Sequence, residues 1–284
     1  MIDDNQIFLE VKDHSVSGEQ FKLVLDKYED ILETSPQPSA ENLPKYYQSE
    51  DYISHTDTKR NLLERVYHLI RKRALKNKLS LINSFQPEEK TLLDVGCGTG
   101  DFLKTAKEDG WRVSGIEPNP EAREIANSKT KSSVFDVPKL SEFNANSFDV
   151  ITLWHVLEHL PNLEEHLEIF KHLLKPNGHL VIAVPNYKSY DAEYYQSFWA
   201  AYDVPRHLWH FSQNGIKQLF EGFGFVCKKT VPMPFDSFYV SLLSEKYKKG
   251  FMNPFMAFWV GLRSNLKAKR SGEYSSLIYV FKKA

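Results

Sequence analysis

The sequence predicts an α/β protein: a seven-stranded, mostly parallel sheet with helices on both faces and the last strand antiparallel. Three observations support this. Short apolar runs alternate with helical patterns between residues 61 and 186, and such alternation builds a parallel sheet. The run at 91–95 enters Gly96-Cys97-Gly98-Thr99-Gly100 and leaves it directly as a helix, a turn found at the carboxyl ends of strands in such sheets. Two further strand-like runs, 225–230 and 276–282, come last and suit an antiparallel hairpin at the sheet edge.

In chain order, residues 1–58 read as an acid-rich accessory segment broken by Pro36-Gln37-Pro38, with a strand and turn around Gly18. Its tyrosines Tyr46, Tyr47 and Tyr52, with Ser54 and His55, belong to a surface segment packed on the main domain or to a flap over a ligand site. The main domain spans 59–284. From 61 to 82, Leu62, Leu63, Val66, Leu69, Ile70, Leu75, Leu79 and Ile82 recur at helical spacing. The basic residues of that stretch, Arg65, Arg71, Lys72, Arg73, Lys76 and Lys78, are expected on a solvated face. Strands follow at 91–95, 112–116, 133–135, 148–154 and 179–184, and helices at 101–109, 120–128 and 163–174. The last of these helices is closed by a turn at Lys175-Pro176-Asn177-Gly178. A lid insertion is expected at 187–212, a helix at 212–221, and a helical insertion at 232–274.

Composition excludes several classes. With 284 residues the chain holds one large domain, or one with a small appendage. Lys plus Arg is 36 against 37 Asp plus Glu, a balance that argues against a general nucleic-acid binder. Two cysteines, Cys97 and Cys227, exclude a disulfide framework. No secretory leader is expected from the acidic start, and no apolar run reaches the roughly 18 residues of a membrane span. A soluble, cytoplasmic protein is therefore expected.

The glycine loop carries the chemistry. Its glycines permit a tight turn and close approach of a ligand, and the following helix start suits an anionic group. Glu117 stands 23 residues beyond Asp94, at the end of the next strand, where a carboxylate can accept two ribose hydroxyls. The residues alone therefore point to a nucleoside-containing ligand.

The loop is G-x-G-x-G with Asp94 two residues before the first glycine, unlike the nicotinamide fingerprint G-x-G-x-x-G. It resembles motif I of class I S-adenosylmethionine-dependent methyltransferases. Ile116-Glu117-Pro118-Asn119-Pro120 resembles their ribose-binding turn, and Phe135-Asp136-Val137 their adenine-contact position. Residues 148–160 resemble the fourth-strand motif, and 174–180 the turn into the fifth strand. The resemblance implies a Rossmann-like fold with S-adenosylmethionine as cofactor and S-adenosylhomocysteine as product. It implies cofactor contacts at Asp94, Gly96, Cys97, Gly98, Gly100, Glu117, Pro118, Asp136, Val137, Trp154 and His155. In this reading the N–H groups near the three glycines take the cofactor carboxylate and Asp94 orients the loop. Glu117 takes the ribose, Asp136 takes the adenine amine, and Cys97 only fills the loop.

Residues 155–159 also spell H-x-x-E-H, a zinc-protease signature, but directly after a strand of this sheet that reading fails. The segment is similar to the E-x-x-E-H of ubiquinone-type O-methyltransferases, which is linked to a divalent metal. His155 departs from that pattern, so no metal is expected. Glu158 and His159 are expected to cap the next helix and pack, with His155 facing the ligand. Residues 187–212 are dense in aromatics, suiting either a lid over a ring-shaped acceptor or a helical cap with its own core. Substrate candidates are Tyr47, Tyr52, Tyr187, Tyr195, Trp199, His207 and Tyr239; catalytic candidates are His155, His210 and Arg206. The apolar stretch 251–262 and the basic run after it are expected as a buried helix followed by a solvated one, with membrane-surface contact the less favoured alternative.

The first 60 residues resemble the start of certain bacterial methyltransferases, sugar C-methyltransferases among them, which open with a zinc ribbon of two C-x-x-C pairs. Ser17-Gly18-Glu19-Gln20-Phe21, Pro36-Gln37-Pro38 and Tyr46-Tyr47 keep that rhythm, and Leu25 and Tyr28 have the C-x-x-C spacing without the cysteines. This implies a ribbon that has lost its metal. The expected function is methyl transfer from S-adenosylmethionine to a small-molecule acceptor by in-line displacement, oxygen first among acceptor atoms. The alternatives are an NAD(P)-dependent oxidoreductase and a non-catalytic S-adenosylmethionine-binding protein.

Overall fold

The computed structural model describes residues 7–28, 30–39, 41–47 and 62–284, with the backbone alone over 62–69. Of the tyrosine segment read as a surface segment or a flap, Tyr46 and Tyr47 are described, whereas Tyr52, Ser54 and His55 lie outside the described residues. The strands are β1 (Ile7–Lys12), β2 (Gln20–Leu25), β3 (Ile31–Ser35), β4 (Thr91–Val95), β5 (Arg112–Ile116), β6 (Val134–Phe135), β7 (Phe148–Trp154), β8 (Leu174–Pro185), β9 (Trp209–Phe211), β10 (Phe225–Pro232) and β11 (Ser276–Lys283). The α-helices are α1 (Leu62–Asn83), α2 (Asp101–Glu108), α3 (Pro120–Thr130), α4 (Leu163–Leu173), α5 (Tyr190–Tyr195), α6 (Gln213–Gly222), α7 (Asp236–Lys249) and α8 (Pro254–Ser271).

Seven strands form one sheet in the order β10-β11-β8-β7-β4-β5-β6. The pairs β4–β5, β4–β7 and β5–β6 are parallel, and the last strands run antiparallel. The expected doubly wound sheet is therefore present. Strand β4 is central: Leu92 faces Val113 on one side and Val150 on the other. Leu92, Leu93, Val150, Ile151 and Leu153 are fully buried, as a strand covered on both faces requires.

Local chemistry sets the helix ends. The Asn119 side chain accepts the Ala122 N–H at 2.9 Å, with Pro120 following it at the first helical position. Ser212 caps α6 through the Gly215 N–H at 2.9 Å. One expected turn is absent. Leu174 leaves α4 already extended, at φ −74° and ψ 132°, so Lys175-Pro176-Asn177-Gly178 belongs to β8. The reason is the neighbouring strand: Lys175 pairs with Asp149 at 3.1 Å. A Cβ on Gly178 would stand 3.0 Å from the Asp149 carbonyl oxygen.

The chain divides into two compact units. One comprises Met1–Ser54, Leu157–Pro161 and Ala183–Tyr279; the other comprises His55–Val156, Asn162–Ile182 and Val280–Ala284. In the first, β1, β2, β3 and β9 form an antiparallel sheet, with Leu32 opposite His210. The segment read as a ribbon thus has three strands, and a fourth comes from residues far along the chain. Behind this sheet Val11, Phe21, Leu23 and Leu32 pack with Tyr187, Tyr195, Trp199 and Tyr202. The aromatic density of 187–212 is therefore largely a core, the second of the two readings of that segment. Asp191, in the same stretch, is fully buried. It accepts the Trp199 Nε1–H at 2.8 Å and the Ser264 and Ser275 hydroxyls at 2.6 Å each.

The insertion differs from its expectation. A single helix, α8, spans most of both stretches. It buries Ala257, Val260, Gly261, Ser264 and Ala268, while Phe255, Phe258 and Trp259 are exposed. The apolar stretch is thus not a buried helix. Gly261 is glycine because a Cβ would meet Phe238 of α7 at 2.7 Å.

Removing the Asp191 carboxylate would strand three buried donors. Asp191→Ala is expected to lower stability by about 3 kcal/mol or more, and Asp191→Asn by less, since an amide oxygen still accepts. Urea unfolding with an unchanged m-value checks this.

Candidate active site

The glycine loop joins β4 to α2. Two of its glycines are demanded by close packing. A Cβ at Gly96, where φ is +67°, would stand 2.4 Å from a Val156 methyl, and one at Gly100 would stand 2.9 Å from the Ala126 backbone. Gly98 is different: a Cβ there would point into open space. The open side of the loop is therefore at Gly98, and its neighbour there is Glu117.

Glu117 directly follows β5 and is buried. Its Oε2 accepts the Gly98 N–H at 2.8 Å, and its Oε1 accepts the Asn119 N–H at 2.9 Å. Burial pushes this carboxyl above the ordinary range, opposed by those two N–H groups and by Arg123. Four of the loop N–H groups have partners within the protein. Gly96 and Cys97 both donate to the Ile116 carbonyl, Gly98 to Glu117 and Gly100 to the Cys97 carbonyl. The N–H groups of Gly96, Gly98 and Gly100, expected near the cofactor carboxylate, thus each have a partner within the protein. Helix α2, by contrast, has no side-chain cap, so its first-turn N–H groups lack that common partner.

Asp94 lies beneath the loop. Its Oδ1 accepts the Thr152 hydroxyl at 2.6 Å, tying β4 to β7. Burial pushes its carboxyl up to about 7, against the pull of Thr152 and of the Lys78 ammonium. Lys78 also stands over the Trp154 ring at 4.3 Å, and Trp154 meets Phe102 edge-on at 5.5 Å. Arg71 pairs with Asp101. Arg71 and Lys78 thus depart from the solvated face expected of them, because the helix turns them toward a carboxylate and an indole. Burial and two carboxylates push the Cys97 thiol up, consistent with a filler rather than a nucleophile.

Asp136 and Val137 are exposed at the end of β6. Asp136 caps its own turn through the Val137 N–H at 2.7 Å and faces Arg123 at 3.5 Å. Arg123 also donates to the carbonyls of Glu117 and Pro118, at 2.6 and 3.0 Å. It therefore links the tips of β5 and β6. Sequence reading missed Arg123 because nothing but its place one turn into α3 marks it. His155 follows β7 in the left-handed region at φ 57°, a conformation uncommon for a side-chain-bearing residue and worth notice.

The other candidates belong to the first unit. Arg206 is buried and bonded to Asp203 at 2.6 Å, to Asp13 at 3.3 Å, to the Tyr46 carbonyl at 2.9 Å and to the Ser15 hydroxyl. The Ser17 and Ser15 N–H groups and Arg206 hold the Asp13 carboxyl low, although burial opposes them. His210 is buried, with Nε2 2.9 Å from the Thr34 hydroxyl, which itself donates to the His207 carbonyl. Burial holds His210 neutral, well below the ordinary histidine range. Tyr187, Tyr195 and Trp199 are core side chains, whereas Tyr239 is exposed. The Tyr195 hydroxyl donates to Glu245 at 3.2 Å.

Glu158 and His159 pack but do not cap α4, whose cap residue is Asn162. His159 Nδ1 lies 3.0 Å from both the Arg206 carbonyl and the Tyr47 hydroxyl, and burial lowers its pKa to about 4. His207 Nδ1 lies 2.9 Å from the Ala201 carbonyl. Glu158, His159 and His207 bring one ligand-type atom each within 4.8 Å of one another. A carboxylate and two imidazoles are a donor set that suits a divalent cation.

The comparisons agree with this architecture. The chain belongs to the methyltransferase domain family, whose model it matches over residues 65–230, and its fold is that of the class I S-adenosylmethionine-dependent methyltransferases. The ubiquinone biosynthesis O-methyltransferase of Serratia proteamaculans (strain 568) is 30% identical over 105 residues, covering 34% of this chain and 44% of that protein. The chain thus matches less than half the length of that relative. A putative sarcosine dimethylglycine methyltransferase from Galdieria sulphuraria has a similar structure, with TM-score 0.53 at 17% identity, over 78% of this chain and 88% of that one. The 1,6-didemethyltoxoflavin-N1-methyltransferase of Burkholderia thailandensis, solved with 1,6-didemethyltoxoflavin and S-adenosylhomocysteine, gives TM-score 0.53 at 13% identity, over 96% and 100%. At these identities the structural likeness shows the fold.

The Asp94 carboxyl supplies a pH test. A pKa near 7 in the fold, against about 3.9 unfolded, makes the folded state bind the extra proton between those values. Its stability contribution therefore falls as pH rises from about 4 to about 7. Asp94→Asn is expected to have the higher melting temperature at neutral pH, with the gap closing as pH falls toward about 4. Thermal melts across that range check it.

Proposed function

We propose that the protein transfers a methyl group from S-adenosylmethionine to a small-molecule acceptor, with oxygen as the acceptor atom. One observation carries the cofactor part: the Glu117 carboxylate at the tip of β5 is bonded to the N–H of Gly98, beside the open side of the loop. Each Glu117 oxygen accepts one N–H and retains capacity for a hydroxyl, so a ribose diol fits there. The choice of oxygen is supported by the name of the Serratia relative. The cofactor supplies a methyl on a sulfonium, already activated toward displacement.

The remaining work is placement. Asp94, tied to Thr152, holds the loop against β7. Arg123 fixes the backbone around Glu117 and Pro118 and positions Asp136 for an adenine amine. The uncapped first turn of α2 suits the cofactor's carboxylate. His155, held out of ordinary backbone geometry just past β7, is the proposed base for an acceptor hydroxyl. Arg206 and His210 serve the internal bonding of their own unit in this reading.

Calorimetric titration tests the cofactor assignment. S-adenosylmethionine and S-adenosylhomocysteine should bind, NADH should not, and Glu117→Ala should weaken binding by roughly tenfold or more, the loss of hydrogen bonds to a charged group. NADH binding in their place would overturn the reading. Methyl transfer to a panel of phenols, amines and carbon acids then tests the acceptor. On an oxygen acceptor, His155→Ala should lower kcat by about 10²–10⁴-fold with S-adenosylhomocysteine affinity nearly unchanged. Full activity in that variant would remove His155 as the base.

A further inference from the structure

Helix α8 is turned inside out for a helix in water. Its buried face carries Ala257, Gly261, Ser264 and Ala268, and its outer face carries its largest side chains. Phe255 is 86% exposed, Phe258 59%, Trp259 58% and Leu266 53%. Their spacing of three, one and seven residues keeps them on one side of a helix. At 1.5 Å per residue the stripe runs about 16 Å. The loop before it adds Phe251 and Met252, exposed by 60% and 48%. Scattered apolar residues on a surface are ordinary, but a contiguous aromatic stripe marks a contact surface.

The charge around the stripe says what covers it. Helix α8 itself carries Arg263, Lys267, Lys269 and Arg270 and no acidic residue, in a chain whose net charge is −1. Lys269 and Arg270 are exposed and fall on either edge of the stripe at 100° per residue. Aromatic side chains on one face with flanking cations suit an anionic bilayer surface. A second copy of the chain fits poorly, since a twofold contact would bring two cationic rims together. No helix among the described residues is long and apolar enough to cross a membrane, so the contact is one of lying on the surface.

We propose that the outer face of α8, with the Phe251–Met252 loop, docks the protein on anionic lipid bilayers. This does not depend on the identity of the methyl acceptor. The test is co-sedimentation of the full chain with phosphatidylcholine vesicles, with and without phosphatidylglycerol, at low and high salt. Expected is binding at least about tenfold stronger to the anionic vesicles and weaker in high salt. Phe255→Ser with Trp259→Ser should abolish it, and Lys269→Glu with Arg270→Glu should remove the preference for anionic lipid. Both variants should keep the wild-type melting temperature, because these side chains lie outside the packed face. Failure of the wild type to bind, or undiminished binding by the serine variant, would overturn the proposal. So would a concentration-dependent dimer that the serine variant abolishes in place of vesicle binding.

Discussion

Val156 occupies the space that a side chain at position 96 would need, with a methyl 2.4 Å from where that Cβ would be. This contact joins the loop after β4 to the chain leaving β7, and much of the site depends on it. Below it, Thr152 holds Asp94; beside it, His155 takes its left-handed conformation. The loop's own N–H groups close the arrangement by bonding to Ile116, Glu117 and Cys97. The loop is therefore preorganised by internal bonds, and its ligand-facing features are the carboxylate of Glu117, the open side at Gly98 and the start of α2.

The first unit uses buried charge in another way. Asp191 gathers donors from α8, from the segment before β11 and from the aromatic stretch. Arg206 gathers Asp13, Asp203, Ser15 and the Tyr46 carbonyl. Buried ionic groups of this kind add little net stability compared with apolar packing, but breaking one partner is costly. They specify which segments meet, and here they bring together parts of the chain that are distant in sequence.

The sheet and the cofactor loop were legible because they rest on local signals: apolar runs of strand length, glycines, proline and asparagine at helix starts. What the sequence left open or missed was non-local. Lys78 reads as one more cation on a basic helix face until β7 brings Trp154 beneath it. Trp199, Tyr195 and Tyr187 read as a lid as readily as a core until β1 to β3 cover them. Arg123 carries no motif, and its value comes from two strand tips meeting at its guanidinium. In α8 hydrophobicity suggested burial, whereas Gly261 and the small residues around it occupy the packed face.

The pairing of β3 with β9 has a consequence for biosynthesis. Strand β3 ends at Ser35 and its partner begins at Trp209, so the four-stranded sheet cannot close until that second stretch has left the ribosome. At the usual 5–20 residues per second the wait is roughly 10–35 s. Throughout it the first three strands present an unpaired edge, which is a template for pairing with other chains. The interval between translation of these two strands is therefore when the nascent chain is most exposed to misassembly, and a chaperone acting on it would act then.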